Sequence, residues 1–265
     1  MCLAKFSNTH DVSFVFFHQI KGYLMQKSIQ QILASASIVL LTACGGGGGD
    51  SVANADPQGF WTGPASTGYT VNAAVLENGE TWGVYSSGST IYGALYGTTT
   101  TSGNTVSIRG TDFNFLTNSS SSGNLTGSIA AKSSMSLSGS GVTLPLTYQS
   151  SYDTAATAAA VTGTWSFIGR SGLYTLVPGT ITINNAGAFT LSQTGCVTTG
   201  SVVPRSGGKN VYNLTLSATG ANCVAGQSTM SGVVYLDTTV TPNKFLSLAL
   251  TPSKTDGVVV IGTKQ

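Results

Sequence analysis

Few side chains in this 265-residue sequence could carry chemistry, and their positions are uneven. Its two histidines, His10 and His18, both lie in the first 20 residues. The rest of the chain therefore lacks the imidazole needed for Ser-His-Asp or Cys-His catalysis and for histidine metal sites. Eight carboxylates follow residue 44: Asp50, Asp56, Glu77, Glu80, Asp112, Asp153, Asp237 and Asp256. Paired carboxylates can hydrolyse glycosidic bonds, but Glu77 and Glu80 flank the turn dipeptide Asn78-Gly79 and read as solvated charges at a hairpin tip. No Gly-x-Ser-x-Gly motif occurs, while lysine-assisted serine chemistry stays open. Phosphate-binding glycine motifs need a following helix, and the glycines here sit in turns. The expectation is a protein that is not an enzyme, with no cofactor and no metal.

The most informative reactive group is the thiol of Cys44. Met25-Gln26-Lys27 forms a short positive n-region, Ile32 to Leu41 an h-region of ten residues, and Leu41-Thr42-Ala43-Cys44 follows. Ten helical residues span about 15 Å, half a bilayer core, so the segment reads as an export signal rather than a transmembrane helix. Leu41-Thr42-Ala43-Cys44 resembles the bacterial lipobox. That resemblance implies diacylation of Cys44, cleavage before it, signal peptide 25–43, and a palmitate-type lipid anchor to the membrane. Two or more acyl chains give lasting attachment where one does not. Gly45, in place of Asp, implies sorting to the outer membrane, with its periplasmic or surface face left open. Residues 1–24 fit poorly before such a signal, and Met25 is expected to be the initiator, with 1–24 upstream, untranslated sequence.

Five glycines, Gly45 to Gly49, open a small polar stretch that reaches Pro57. With no apolar residue spacing able to build a core, 44–57 reads as lipidated Cys and flexible tether. Thereafter two halves begin alike, with Gly59-Phe60-Trp61 and, 104 residues on, Gly163-Thr164-Trp165. The expected modules are 58–153 and 154–265, joined by the small-residue run Thr154 to Ala160. Gly-x-Trp on an opening strand resembles the lipocalin signature, and the whole mature chain resembles proteobacterial lipoproteins of unassigned function built as duplicated β-domains. The first resemblance implies a small-ligand barrel; the second implies a fold and no activity.

Ser, Thr and Gly number 34, 37 and 34, whereas charged residues make up only 8%, so hydroxyls and backbone provide the polar surface. Past residue 43 the chain carries eight basic and eight acidic residues, which leaves no basic footprint for nucleic acid. Apolar residues alternate with hydroxyls at Leu125 to Ile129, Met135 to Leu137, Val142 to Tyr148, Ile181 to Ile183, Phe189 to Leu191 and Tyr212 to Leu216. This period of two predicts antiparallel strands with one wet face. Asn78-Gly79 predicts a two-residue hairpin, and Pro145 an edge or bulge. Candidate strands recur every 8–14 residues, most of them 5–8 long, and no helix is expected beyond residue 44. The fold class is all-β, with two similar antiparallel β-barrel or sandwich modules of about eight strands each. Short strands with Ser and Thr outward point to a tethered soluble body rather than a membrane-spanning barrel.

Cys196 and Cys223 are the only cysteines after Cys44, and in an exported protein they are expected to form a disulfide. Trp61, Trp82, Tyr85, Tyr92 and Tyr96 concentrate in the first half. They read either as an aromatic-lined binding site or as core packing with hydroxyls at the rim. Tyr92, Ala94 and Tyr96 are expected on one face of a strand, with Ile91 and Leu95 on the other. Arg109, Asp112 and Arg170 are further candidates for contacts. The functional expectation is a non-catalytic outer-membrane lipoprotein with a binding or structural role at the cell envelope, its partner a macromolecule. The alternative is a lipocalin-like carrier of a small apolar ligand.

Overall fold

The computed structural model describes residues 53–265, apart from 173, 177, 224, 225 and 227. The signal, the lipobox, most of the tether and segment 1–24 lie outside the described residues.

The alternating pattern folds as two closed antiparallel barrels. The first comprises β1 (Gly59–Pro64), β2 (Thr70–Val75), β3 (Glu80–Ser87), β4 (Thr90–Ser102), β5 (Thr105–Asn114), β6 (Ser119–Ala130), β7 (Ser134–Gly139) and β8 (Val142–Gln149). Each strand pairs with the next, and β8 returns to β1 through Phe60↔Gln149, Trp61↔Tyr148 and Thr62↔Thr147. That ladder stops two residues before Pro145, which accordingly stands where β8 has no paired neighbour on its β1 side. The second barrel comprises β9 (Gly163–Ser171), β10 (Tyr174–Thr175), β11 (Gly179–Ile183), β12 (Ala188–Gln193), β13 (Cys196–Pro204), β14 (Val211–Thr219), β15 (Ser228–Asp237), β16 (Lys244–Leu250) and β17 (Gly257–Lys264). β10 and β11 both pair with β9 and act as one interrupted stave. β17 closes the barrel on β9 from Val259↔Arg170 to Lys264↔Trp165.

Register explains the hydroxyl content. Thr100, Ser107, Thr126, Ser138 and Thr143 are successive cross-strand partners from β4 to β8, so they share one outward rung. On the other face Leu125, Ile129, Met135, Leu137, Val142, Leu144 and Leu146 fill the first barrel. Trp165, Ile183, Val202, Tyr212, Leu214, Val234 and Phe245 do the same in the second.

Four local features depart from the sequence reading. The β2–β3 connection is a three-residue loop, Glu77 to Gly79, closed by Leu76 N–H donating to Glu80 C=O. Only Gly79 takes positive φ (82°), because the Asn78 side chain instead accepts from the Glu80 N–H. Tyr92 is the extra residue of a bulge in β4, opposite Tyr85 and Ser86 of β3, and this bulge breaks the alternation. It places Tyr92 with Leu95 in the barrel interior and Tyr96 with Ile91 and Ala94 outside, which corrects the expected faces. The alanine-rich joint is not free of helix, since Ser150–Asp153 forms a 3-10 turn and Ala158–Val161 a single α-turn, α1. Finally, β4, β5, β6 and β15 run 10–13 residues, longer than most strands expected.

The outward face is most apolar where the barrels meet, although Val197 and Val203 of β13 stand exposed elsewhere. Phe60, Leu76, Trp82, Val84, Ile91, Ala94 and Phe113 of the first barrel form one buried cluster with Val211, Val233, Leu248, Leu250 and Val259 of the second. Polar contacts frame this seam. Arg205 pairs with Glu77 at 2.8 Å, and Arg170 donates to the Ile91 and Phe115 carbonyls. Because the two barrels share this core, heating is expected to unfold the chain in one calorimetric transition. Leu248→Asp, which buries a charge at the seam, should split it in two. Two resolved transitions in the unaltered chain would contradict the shared core.

Candidate functional site

Each barrel is stoppered at one end by the chain that leads into it. In the first, Ala55 N–H donates to the Gly103 carbonyl and Asn54 accepts from the Gly103 N–H. The Trp61 indole then donates back to the Pro57 carbonyl at 3.0 Å. In the second, α1 is the stopper. The Trp165 indole donates to the Val161 carbonyl at 2.8 Å. The Tyr212 hydroxyl accepts from the Thr157 N–H and donates to its carbonyl. Lys264, on the closing strand, lies over the Trp165 ring and donates to the Ala160 carbonyl.

Above the stopper the two interiors differ. The first is filled by Trp61, Tyr85, Met135 and the aliphatic set, with Tyr69, Tyr92 and Tyr148 packed against them. Tyr69 stacks between Tyr85 and Tyr92 at ring separations of 5.6 and 4.8 Å. The second barrel contains a chamber of about 160 Å³. Its floor and walls are Val161, Phe167, Ile183, Phe189, Val202, Leu214, Val234 and Phe245. Small inward residues leave the space: Ser171, Thr198, Ala218 and Ser247 line it, and the Phe189 ring lies flat on its cross-strand partner Gly200, where any Cβ would collide with it. No charged side chain lines the chamber among the described residues. The polar members Ser171, Gln193, Thr198 and Asn222 gather at the end away from α1, beside the Cys196–Cys223 disulfide, whose S–S distance is 2.06 Å.

The five aromatic residues singled out from sequence fall into two places. Trp61, Tyr85 and Tyr92 belong to the interior of the first barrel. Trp82 and Tyr96 stand outside it at the seam, 4.6 Å apart, under the Lys254 ammonium of the second barrel. They do not converge on one cavity. The two faces of β4 are both covered, one by the barrel interior and the other by the second barrel. Glu77 and Glu80 hold different partners: Glu77 pairs with Arg205, which keeps its carboxyl below the usual range, and Glu80 accepts from the Tyr96 hydroxyl. Arg109 is exposed on β5, while Arg170 spans the seam.

The chamber residues carry no mark in the sequence, because their alternation matches that of any filled barrel and the small ones, Ser171, Thr198, Ala218 and Ser247, lie on separate strands. A Ser-x-x-Lys spacing is also present, Ser206 to Lys209. The Lys209 ammonium lies 2.7 Å from Asp153, whose carboxyl its hydrogen bonds hold down at about 2, so this lysine is engaged as an ion-pair partner. Among the described residues no group of three or more His, Cys, Asp or Glu side chains is placed to hold a metal ion, and no helix is long and apolar enough to cross a membrane.

Asp112 is the one buried carboxylate among the described residues, only 3% exposed inside the first barrel. Its Oδ1 has no hydrogen-bond partner there, and the Tyr85 hydroxyl is its one polar neighbour of note. Desolvation pushes its carboxyl up to about 6, against a hydrogen bond from Tyr85 that pulls it down. The folded protein thus binds a proton that the unfolded chain releases near pH 4, and it loses stability as pH rises from about 4 to 6. Asp112→Asn should stabilise the protein at pH 7.5 by about 2 kcal/mol relative to its effect at pH 4. Denaturant melts at the two pH values check this, and an equal effect at both would refute it.

No family model, curated protein or solved structure matches the chain.

Proposed function

We propose that this chain is a non-catalytic lipoprotein of the bacterial outer membrane, held by acyl chains on Cys44, whose second barrel encloses a small apolar ligand. The observation that carries the binding role is the uncharged, largely apolar chamber of about 160 Å³ above α1. A dry apolar cavity of about 150 Å³ accommodates benzene, so the chamber suits a compact guest rather than a long lipid. The anchor rests on sequence: a positive n-region, a ten-residue h-region and the lipobox stand in the order and spacing that lipoprotein processing reads. The case against catalysis rests on the lack of histidine after His18 and on a carboxylate, Asp112, enclosed in the filled barrel.

The carrier reading is favoured over a purely macromolecular partner because the seam already occupies most of the apolar outer surface, leaving only scattered residues such as Val197 and Val203 exposed among the described residues. Two experiments test the proposal. Radiolabelled palmitate should enter the protein in growing cells and fail to enter Cys44→Ser; equal labelling of both would remove the anchor. Native mass spectrometry of gently purified protein should show a stoichiometric small guest that disappears in Leu216→Trp, a substitution that fills the chamber from a half-buried position. An empty unaltered protein that also gives no shift in melting temperature with added toluene would remove the carrier role.

A further inference from the structure

The chamber is polarised along its length, and this polarity defines its guest more narrowly. Its depth is hydrocarbon: Val161, Ile183, Val202, Val234 and Phe245 are all buried. Its mouth is amide and hydroxyl. Gln193 ends β12, Thr198 stands near the start of β13, and Asn222 lies in the β14–β15 connection. Asn222 is fixed in place, since its N–H donates to the Gly195 carbonyl and its Nδ2 to the Thr194 carbonyl. The disulfide ties the adjoining Cys223 to Cys196 on the facing strand. Ser247, deeper in, already donates its hydroxyl proton to the Val260 carbonyl.

Cations are held away from this space. Arg170 bonds to carbonyls of the first barrel, Lys254 lies over Trp82 and Tyr96, and Lys264 lies over Trp165 at the stopper. A carboxylate or ammonium entering the chamber would lose its hydration and find no counter-charge there, which is strongly unfavourable. A neutral hydroxyl or amide would instead exchange water for Gln193, Thr198 and Asn222.

We infer that the chamber recognises a neutral, single-headed molecule of about one-ring size, with its apolar body against the floor and one uncharged hydrogen-bonding group at Gln193 and Asn222. The inference rests on the carrier reading and narrows its ligand class.

NMR titration of the intact chain with toluene, benzyl alcohol, benzoate and benzylamine at pH 7.5 tests it, because the four share a ring and differ in the head. Benzyl alcohol should bind roughly fivefold more tightly than toluene, the gain of about one net hydrogen bond. Benzoate and benzylammonium should bind at least about tenfold more weakly than the alcohol, for want of a counter-charge. In Gln193→Leu/Asn222→Leu, both exposed positions, the preference for the alcohol over toluene should vanish. Benzoate or benzylammonium binding as tightly as the alcohol would overturn the inference, as would an alcohol preference that survives the double substitution. Toluene and alcohol binding equally to the unaltered chain would overturn the head-group assignment and leave the carrier reading standing. Failure of all four to bind would remove the carrier reading itself.

Discussion

A buried indole with a single donor governs how each barrel begins and ends. Indole N–H must find an acceptor when it leaves water, and here it finds the carbonyl four residues earlier, Pro57 for Trp61 and Val161 for Trp165. That carbonyl is within reach only if the preceding chain bends across the barrel mouth, so one hydrogen bond fixes both the stopper and the face of the first strand. The last strand then meets the same ring: Tyr148 packs edge-on against Trp61, and Lys264 lies over Trp165. Closure joins residues 85 to 99 positions apart, the kind of long-range pairing that costs most chain entropy. A large ring shared by stopper, first strand and last strand concentrates the compensation for that cost at one point.

On this common plan the two barrels divide the work by volume. The first places Trp61, Tyr85 and Met135 inward and packs three more tyrosines against them, which leaves it a solid support. The second turns the smaller Ser171, Thr198, Ala218 and Ser247 inward and stays hollow. Hollowness lowers stability, because unfilled space forfeits dispersion contacts. Two features offset it: the seam, which buries one flank of the hollow barrel against the solid one, and the disulfide, which joins its open end. The staple therefore stands in the barrel that needs it.

The inward faces were legible in the sequence because period-two alternation reports which side of a strand is buried, and Leu125, Met135, Leu144, Ile181 and Leu214 all lie where it puts them. Barrel and sandwich share that period, so closure had to come from register. The bulge at Tyr92 was illegible for a related reason: one extra residue swaps faces without changing composition, and Tyr92 lies inward while Tyr96 lies outward. α1 arose where four of the residues from Ala156 to Ala160 are alanine, a composition that favours helix, and only its role as stopper makes so short a turn stable. The chamber is a difference of side-chain volumes summed over eight staves, which no local pattern carries. Trp82 and Tyr96 looked like a binding face because an aromatic, half-polar surface serves a seam as well as a ligand.

The arrangement of the barrels gives the chamber a direction. Phe60 and Glu77, near the stoppered end of the first barrel, touch Tyr235 and Arg205 near the stoppered end of the second. At the other end Arg170 reaches Ile91 and Phe115. The barrels therefore lie side by side with both stoppers on the same side. Asn54 and Ala55 lead into the fold at that side too, beside Gly103. An anchor carried ahead of Ala53, as proposed, would join the fold at the stoppered side, while the chamber mouth, with Gln193 and Asn222, opens at the opposite end. With the mouth turned away from the proposed anchor, a guest leaving the bilayer would pass through water to arrive. That route favours a molecule soluble enough to travel alone, as a neutral, single-headed guest is, over a lipid drawn directly from the membrane.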